Sequence, residues 1–571
     1  MAKDSPSPVN AAALLEQARA GGPGAALAAR RAAVWAERAD PELAQEALQL
    51  AATLEPLDPQ PRLALARLAA EQGELSAAVK EAEGVLKDAV DQAARARAAF
   101  ILGEIARIEG DHARARTAYA TTLHIEDELL AVNRADVTAA RWYARARGRI
   151  AELDASAGAF GPARTGAEGA LAMLRAAAAQ VGEPPVLAAD IADGEMRLAA
   201  LELDEGQASS ARRRLAEAIG RYEALAVTEK DEPHWRAVLS DAWALAAEAD
   251  YARGAKDAAR SAMDKALQAR LRLAARHPQE AWALSGTWRL RASLRAALGD
   301  TDAASDSLQQ ARALAEALCA QAADAEAAVR FLVHTLLDQA DHALRSGDLN
   351  LAREATDAAR LRAEVFARAK EAAPVWFGET AAAWDRLGEV ARASNAKAQA
   401  QDAFARAVEL RRMARDRAPE DAHFKRGLAA ALLKFGEAAM DAGALASARA
   451  AFNESAALRL EMLQAAPDDL RAAQALAAAL ERVGLAAHAA GDAHAARGAW
   501  QDELLLADRI FAEDDLEGAR FRAAVEAHLA GLGGLGAETH RLAALAHYDT
   551  LARAGLLTEQ EAALRRRLWG G

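Results

Sequence analysis

The chain has 571 residues, more than one compact core accommodates, so several domains or a repeat array are expected. Hydrophobic residues make up 52%, most of them alanine, and aromatics only 5%, a composition rich in helix formers and poor in strand formers. The net charge of −13 argues against nucleic acid as a partner, and the single cysteine excludes both a disulfide framework and a multi-cysteine metal site.

Residues 1–10, opening Met1-Ala2-Lys3-Asp4, read as a disordered tail without the apolar core of a signal peptide. No uncharged apolar run approaches the roughly 18 residues a membrane span needs, so a cytoplasmic protein with no membrane insertion is expected. A leading helix near 11–20 and shorter helical hairpins fill 11–132. Eight long hairpins follow over 133–514, and a degenerate last hairpin with a capping helix over 515–571. The capping helix opens with Thr558-Glu559-Gln560-Glu561, a capping-box pattern.

Glycine breaks the helical pattern at Gly73, Gly110, Gly158, Gly206, Gly254, Gly299, Gly347, Gly443 and Gly491. From Gly110 onward the spacing is 48, apart from one interval of 45 and one of 96. The double interval has Asn395 at its midpoint, and asparagine is the usual substitute for glycine where a helix ends in a left-handed residue. Five residues after each break stands an alanine, from Ala78 and Ala115 through Ala400 to Ala496. Seven residues before it stands alanine or glycine, from Ala66 and Gly103 through Gly388 to Gly484. One further unit turns at Ala39, with Ala32 and Ala44 in the matching places. Two antiparallel helices approach to the short end of the 8–10 Å range only where facing side chains are small.

A small residue, a turn glycine seven later, an alanine five after that and a bulky residue four further on together resemble the tetratricopeptide repeat, TPR. The bulky place holds Tyr119, Phe404, Phe452 and Trp500, and the family's first-helix tryptophan is matched by Trp243, Trp288 and Trp384. The resemblance is to a bacterial long-helix variant of about 48 residues rather than the ordinary 34. It implies an all-α, right-handed solenoid of antiparallel helical hairpins. Fourteen added residues, shared between two helices, lengthen each by about two turns and about 10 Å while keeping nearly the same face toward its neighbour.

No motif for catalysis stands out. Gly531-Leu532-Gly533-Gly534-Leu535-Gly536 spells GxGxxG, but a helix precedes it where dinucleotide binding needs a strand. His488 and His494, or His540 and His547, lack the spacing of a helical zinc site, and Cys319 reads as a small buried hydrophobe. The expectation is a non-enzymatic chain without cofactor or metal. The three repeat tryptophans read as core and Trp569 as exposed.

The TPR resemblance implies a scaffold or adaptor that binds protein partners in a concave groove lined by first helices. Groove positions six before the turn hold Glu104, Glu152, Glu248, Asp341, Glu389 and Glu437, and Asp241, Asp385 and Glu481 are assigned to a neighbouring groove position. They suggest an acidic stripe for a basic segment of a partner, and they disfavour the carboxylate clamp of chaperone-binding relatives. A plainer alternative pairs Arg386 with Glu389 and Lys434 with Glu437, three residues apart on one helix. Alternative roles are a structural, self-assembling solenoid, or a regulatory subunit beside a separately encoded kinase or NTPase.

Overall fold

A computed structural model describes residues 8–36, 40–72, 74–109, 111–229, 233–277, 280–321, 326–369, 372–467, 469–512, 515–534 and 536–570. The turns expected at Ala39, Gly73 and Gly110 lie outside the described residues. Among the described residues there are 26 helices and no strand. No helix there is long and apolar enough to cross a membrane.

Two compact units divide the chain: Met1–Ser156 with Phe160–Arg253, and Ala157–Ala159 with Gly254–Gly571. The first holds α1 Pro8–Arg19, α2 Ala25–Ala36, α3 Pro41–Leu54, α4 Gln60–Glu71, α5 Leu75–Asp88 and α6 Gln92–Glu109. It continues with α7 His112–Val132, α8 Val137–Ser156, α9 Phe160–Val181, α10 Pro185–Asp204, α11 Ala208–Thr228 and α12 Pro233–Ala252. The second opens with α13 Lys256–Ala274, α14 Ala281–Ala297, α15 Thr301–Gln321, α16 Glu326–Ser346, α17 Leu349–Ala367 and α18 Pro374–Ala393. Then come α19 Lys397–Arg417, α20 Ala422–Asp441, α21 Leu445–Ala465, α22 Leu470–Ala489 and α23 Ala493–Ile510. It ends with α24 Leu516–Gly531, α25 Ala537–Arg553 and α26 Glu559–Trp569. Within each unit, consecutive helices pack as hairpins and neighbouring hairpins stack. Helix α1 starts at Pro8, three residues ahead of the expected boundary, and α26 has the expected capping box between Thr558 and Glu561.

Each described turn residue takes up the left-handed backbone that its sequence position anticipates. Gly299, Gly347, Gly443 and Gly491 have φ of 84°, 82°, 80° and 80°. Asn395 has φ 57° and is the one non-glycine residue with positive φ among the described residues. The backbone closes each of these helix ends with a pair of reverse hydrogen bonds, the Schellman arrangement. Asp300 N–H donates to the Arg295 carbonyl at 2.8 Å and Gly299 N–H to Ala296 at 3.0 Å. At Asn395 the same bonds run from Ala396 to Ala391 at 2.8 Å and from Asn395 to Arg392 at 2.9 Å. An aspartate next to the glycine then caps the second helix: Asp348 and Asp492 each accept from a backbone N–H three residues on, at 3.0 Å.

The small residues sit where the two helices of a hairpin cross. Every alanine at these positions is 2% exposed or less, from Ala32 and Ala44 to Ala496. Four hairpins have glycine on the first helix, and each places an aromatic ring against it. A Cβ on Gly103 would stand 2.5 Å from the Tyr119 ring, on Gly388 2.6 Å from Phe404, on Gly436 2.4 Å from Phe452 and on Gly484 2.2 Å from Trp500. Where the first helix has alanine instead, the same place on the second holds a non-aromatic residue, as in Ala199 with Leu215 and Ala292 with Leu308. Hydroxyls bridge three of these crossings: Thr122 donates to the Ala96 carbonyl at 3.1 Å, and Ser455 to Ala429 and Ser285 to Ala311, both at 2.8 Å.

Asn395→Ala puts a β-carbon into the left-handed region at a cost of about 1 kcal/mol, whereas Asn395→Gly removes the residual strain. Hydrogen exchange in α18 and α19 should quicken about fivefold in the alanine variant and slow or stay level in the glycine variant. Equal rates in both would contradict the turn assignment.

Candidate partner-binding wall

Within each unit the first helix of one hairpin touches the first helix of the next, as α4, α6, α8, α10 and α12 do, and as α14, α16, α18, α20 and α22 do. The second helices are held farther apart. The first helices therefore form the tighter side of the stack, the side on which a solenoid presents its inner wall.

Five of the proposed groove acids are joined to cations of the following hairpin. Glu104 accepts from Arg149 at 2.8 Å and Glu152 from Arg197 at 2.8 Å. In the second unit Asp341 accepts from Arg386 at 3.0 Å, Glu389 pairs with Lys434 at 3.2 Å, and Glu437 accepts from Arg482 at 3.2 Å. In every case the acid stands six residues before its own turn and the cation nine before the next, a separation of 45 residues. The pairs form ladders of alternating charge, so the stripe is not a uniformly anionic surface. Pairing of Arg386 with Glu389 and of Lys434 with Glu437 along one helix gives way to these bonds, because close-packed first helices bring the previous hairpin's acid within reach. Arg149 does both, bonding Glu104 and, three residues on, Glu152 at 2.8 Å.

Charge at these joints is stabilised in both directions. Burial opposes the charge of Arg149, but Glu152 and Glu104 outweigh it and hold its pKa above the ordinary arginine value. Burial likewise works against Glu152, and Arg197 with Arg149 still brings its pKa below the ordinary carboxylate value. Both members of each pair are partly exposed, so each joint contributes at most about 1 kcal/mol.

The remaining acids behave differently. Glu248 on α12 has no ion-pair partner among the described residues, and burial together with the Asp204 carboxylate raises its pKa. Asp385 is only 2% exposed and turns to Arg411 of α19 at 2.7 Å, so it belongs to the interior of its hairpin rather than to the wall. Glu481 bonds its neighbour Arg482 at 2.8 Å. Asp241 is exposed but stands thirteen residues before Gly254, not ten like Asp385 and Glu481, and is out of their register.

Several other sequence readings are refined. Trp243, Trp288 and Trp384 are half-buried rather than core, and guanidinium groups lie over two of them, Arg291 over Trp288 and Arg360 over Trp384. Trp569 is 67% exposed, as expected, and Cys319 is only partly buried. Gly533, Gly534 and Gly536 have positive φ between α24 and α25, a turn that follows a helix. Among the described residues no group of three His, Cys, Asp or Glu is arranged to hold a metal ion.

A buried carboxyl escaped the sequence reading. Glu503 on α23 is 3% exposed, and its Oε2 has no hydrogen-bond partner among the described residues. It stands twelve after the turn, where most long hairpins carry alanine. Burial, reinforced by Glu481, pushes its pKa to about 8 from the ordinary 4.5. The folded state therefore keeps a proton that the unfolded chain releases above pH 4.5, and stability falls as pH rises from 4.5 through 8. Glu503→Gln should protect α22 and α23 from hydrogen exchange more than the wild type at pH 8, with the difference vanishing near pH 4.5. A pH-independent difference would contradict a protonated Glu503.

No family model matches the chain, and no curated protein matches it. Among solved structures it is similar to yeast Tom70, at 14% identity over 91% of this chain and 96% of that one, with a TM-score of 0.41. It is similar to the apo form of RapI at 10% identity, over 71% and 98%, with a TM-score of 0.42. It is also similar to the human IFIT1 dimer with m7Gppp-AAAA at 14% identity, over 88% and 94%, with a TM-score of 0.38. Likeness at this level carries no functional argument. The assignment of an all-α, TPR-like array of hairpins rests on the turns and crossings of the chain itself.

Proposed function

We propose that the chain is a non-catalytic scaffold that holds protein partners along the walls of first helices. The observation that carries this reading is the register of the ladders. Ion pairs recur at the same two positions of successive hairpins, so each unit offers a preorganised row of charges repeated once per hairpin. A partner segment with cations at matching intervals exchanges with the internal arginines at little cost, because each partly exposed joint is weak. Glu248, without a cation of its own, is an acid that a basic segment can engage without displacing anything.

A second reading, self-association, is favoured by the last helix. No residue of α26 is fully buried, and Trp569 at its end is 67% exposed. Such a face fits a second copy of the chain as well as a different protein. Light scattering over a hundredfold concentration range separates the two, since a constant monomer mass removes self-association.

The adaptor reading is tested by affinity capture with the wild type and with a Glu248→Lys, Asp341→Lys, Glu437→Lys triple variant, each checked for native helicity. Quantitative mass spectrometry should find proteins retained by the wild type and depleted at least about tenfold with the variant. Identical retained sets would contradict binding at the wall.

A further inference from the structure

The side of the second unit away from the first-helix wall has its own depression. Because second helices stand apart, α17 and α19 leave a cavity of about 470 Å³ between them, with α18 as its floor. Its floor is aromatic, made of Phe377 and the half-buried Trp384, and Met413 closes one side. Met413 is 43% exposed, so the cavity opens beside an accessible apolar side chain.

The rim is cationic in a chain whose net charge is −13. Arg360, Arg368 and Arg406 line the cavity against one carboxylate, Glu364. Arg360 lies over the Trp384 ring at 5.3 Å and bonds both Glu364 at 2.9 Å and Asp357 at 3.2 Å, so it is fully engaged and the exchangeable cations are Arg368 and Arg406. Arg368 shares the same Glu364 at 2.5 Å and is 77% exposed. Arg406 bonds Glu409 at 2.6 Å, and both are more than half exposed. Pairs so exposed are weak and readily exchanged. Helix α19 carries six cations to three acids, although Arg411 and Arg415 are paired with Asp385 and Asp416.

We propose that this groove binds an acidic segment of a partner protein, with an aromatic side chain set between Trp384 and Met413 and flanking carboxylates on Arg368 and Arg406. The apolar floor recognises the ring, and the exposed guanidiniums have donors left for planar carboxylates. A single short cavity with a carboxylate in its wall suits one anchoring side chain better than a run of phosphates. This site is separate from the first-helix wall and stands independently of it.

The test uses the full chain and a fluorescein-labelled nonapeptide with phenylalanine between two aspartates on each side, followed by fluorescence anisotropy. Saturable binding is expected, weakened at least about tenfold by Arg368→Glu with Arg406→Glu, exposed positions that leave the fold unchanged, and weakened by added salt. Trp384→Ala, checked for native helicity, should weaken it comparably, whereas the triple lysine variant of the wall should bind as the wild type does. Equal binding of a peptide with lysines in place of aspartates, or binding unaffected by the arginine reversals, overturns the proposal. Binding of labelled oligouridylate in place of the acidic peptide also overturns it.

Discussion

The structure depends on how closely the two helices of each hairpin cross. Helices rich in alanine bury little apolar area per residue, so their packing must come from short separations and many contacts rather than from large side chains. The crossing is kept tight by pairing a small residue with a small one, or a glycine with an aromatic ring. Gly388 with Phe404 and Ala292 with Leu308 are two solutions to the same volume. In the glycine solution the ring occupies the space of the missing β-carbon, which is why Gly388, Gly436 and Gly484 occur in helix interiors despite a propensity cost of about 1 kcal/mol each.

The surfaces of each unit follow from how its helices stack. With first helices held in contact, a carboxylate six residues before one turn meets a cation nine before the next, and Asp341–Arg386, Glu389–Lys434 and Glu437–Arg482 repeat in succession. On the other side second helices such as α17 and α19 pack less closely, and grooves open between them. The depression between α17 and α19 is one, and α7 and α9 flank another, lined by Leu123, Arg147 and the small residues Gly161, Thr165 and Gly166. One geometric rule thus yields a charged wall on one face and apolar grooves on the other.

Much of this was legible in the sequence, because backbone conformation and close contact restrict residue type severely. Asn395 at the midpoint of a 96-residue interval identified a left-handed residue, and the alanines around each turn identified the crossings. Helix lengths of 12 to 14 residues in α2 to α5 and 17 to 22 in α8 to α22 match the change of period. The wall was harder to read. The sequence spacing suggests same-helix partners three residues away for the acids, while the structure pairs five of them at a separation of 45. That number is one repeat less three residues, so it emerges only once neighbouring first helices are known to touch. Asp385 was misplaced for a similar reason: period alone cannot say which side of a helix faces its own hairpin partner and which faces the groove. The depression at Trp384 carries no sequence signature, since it is made by residues from three helices with no common motif.

The central claim is that the hairpin crossing is a volume match between positions seven before and nine after the turn. A double-mutant cycle at Gly436 and Phe452 tests it most directly, read by hydrogen exchange in α20 and α21. Gly436→Ala alone should cost about 2 kcal/mol by overpacking against the ring, and Phe452→Leu alone about 1 kcal/mol by loss of volume. Together they recreate the pairing of Ala199 with Leu215, and the double variant should be at least about 1 kcal/mol more stable than the sum of the single losses implies. Strictly additive losses would mean that ring and glycine do not share one space, and the account of the fold would fail.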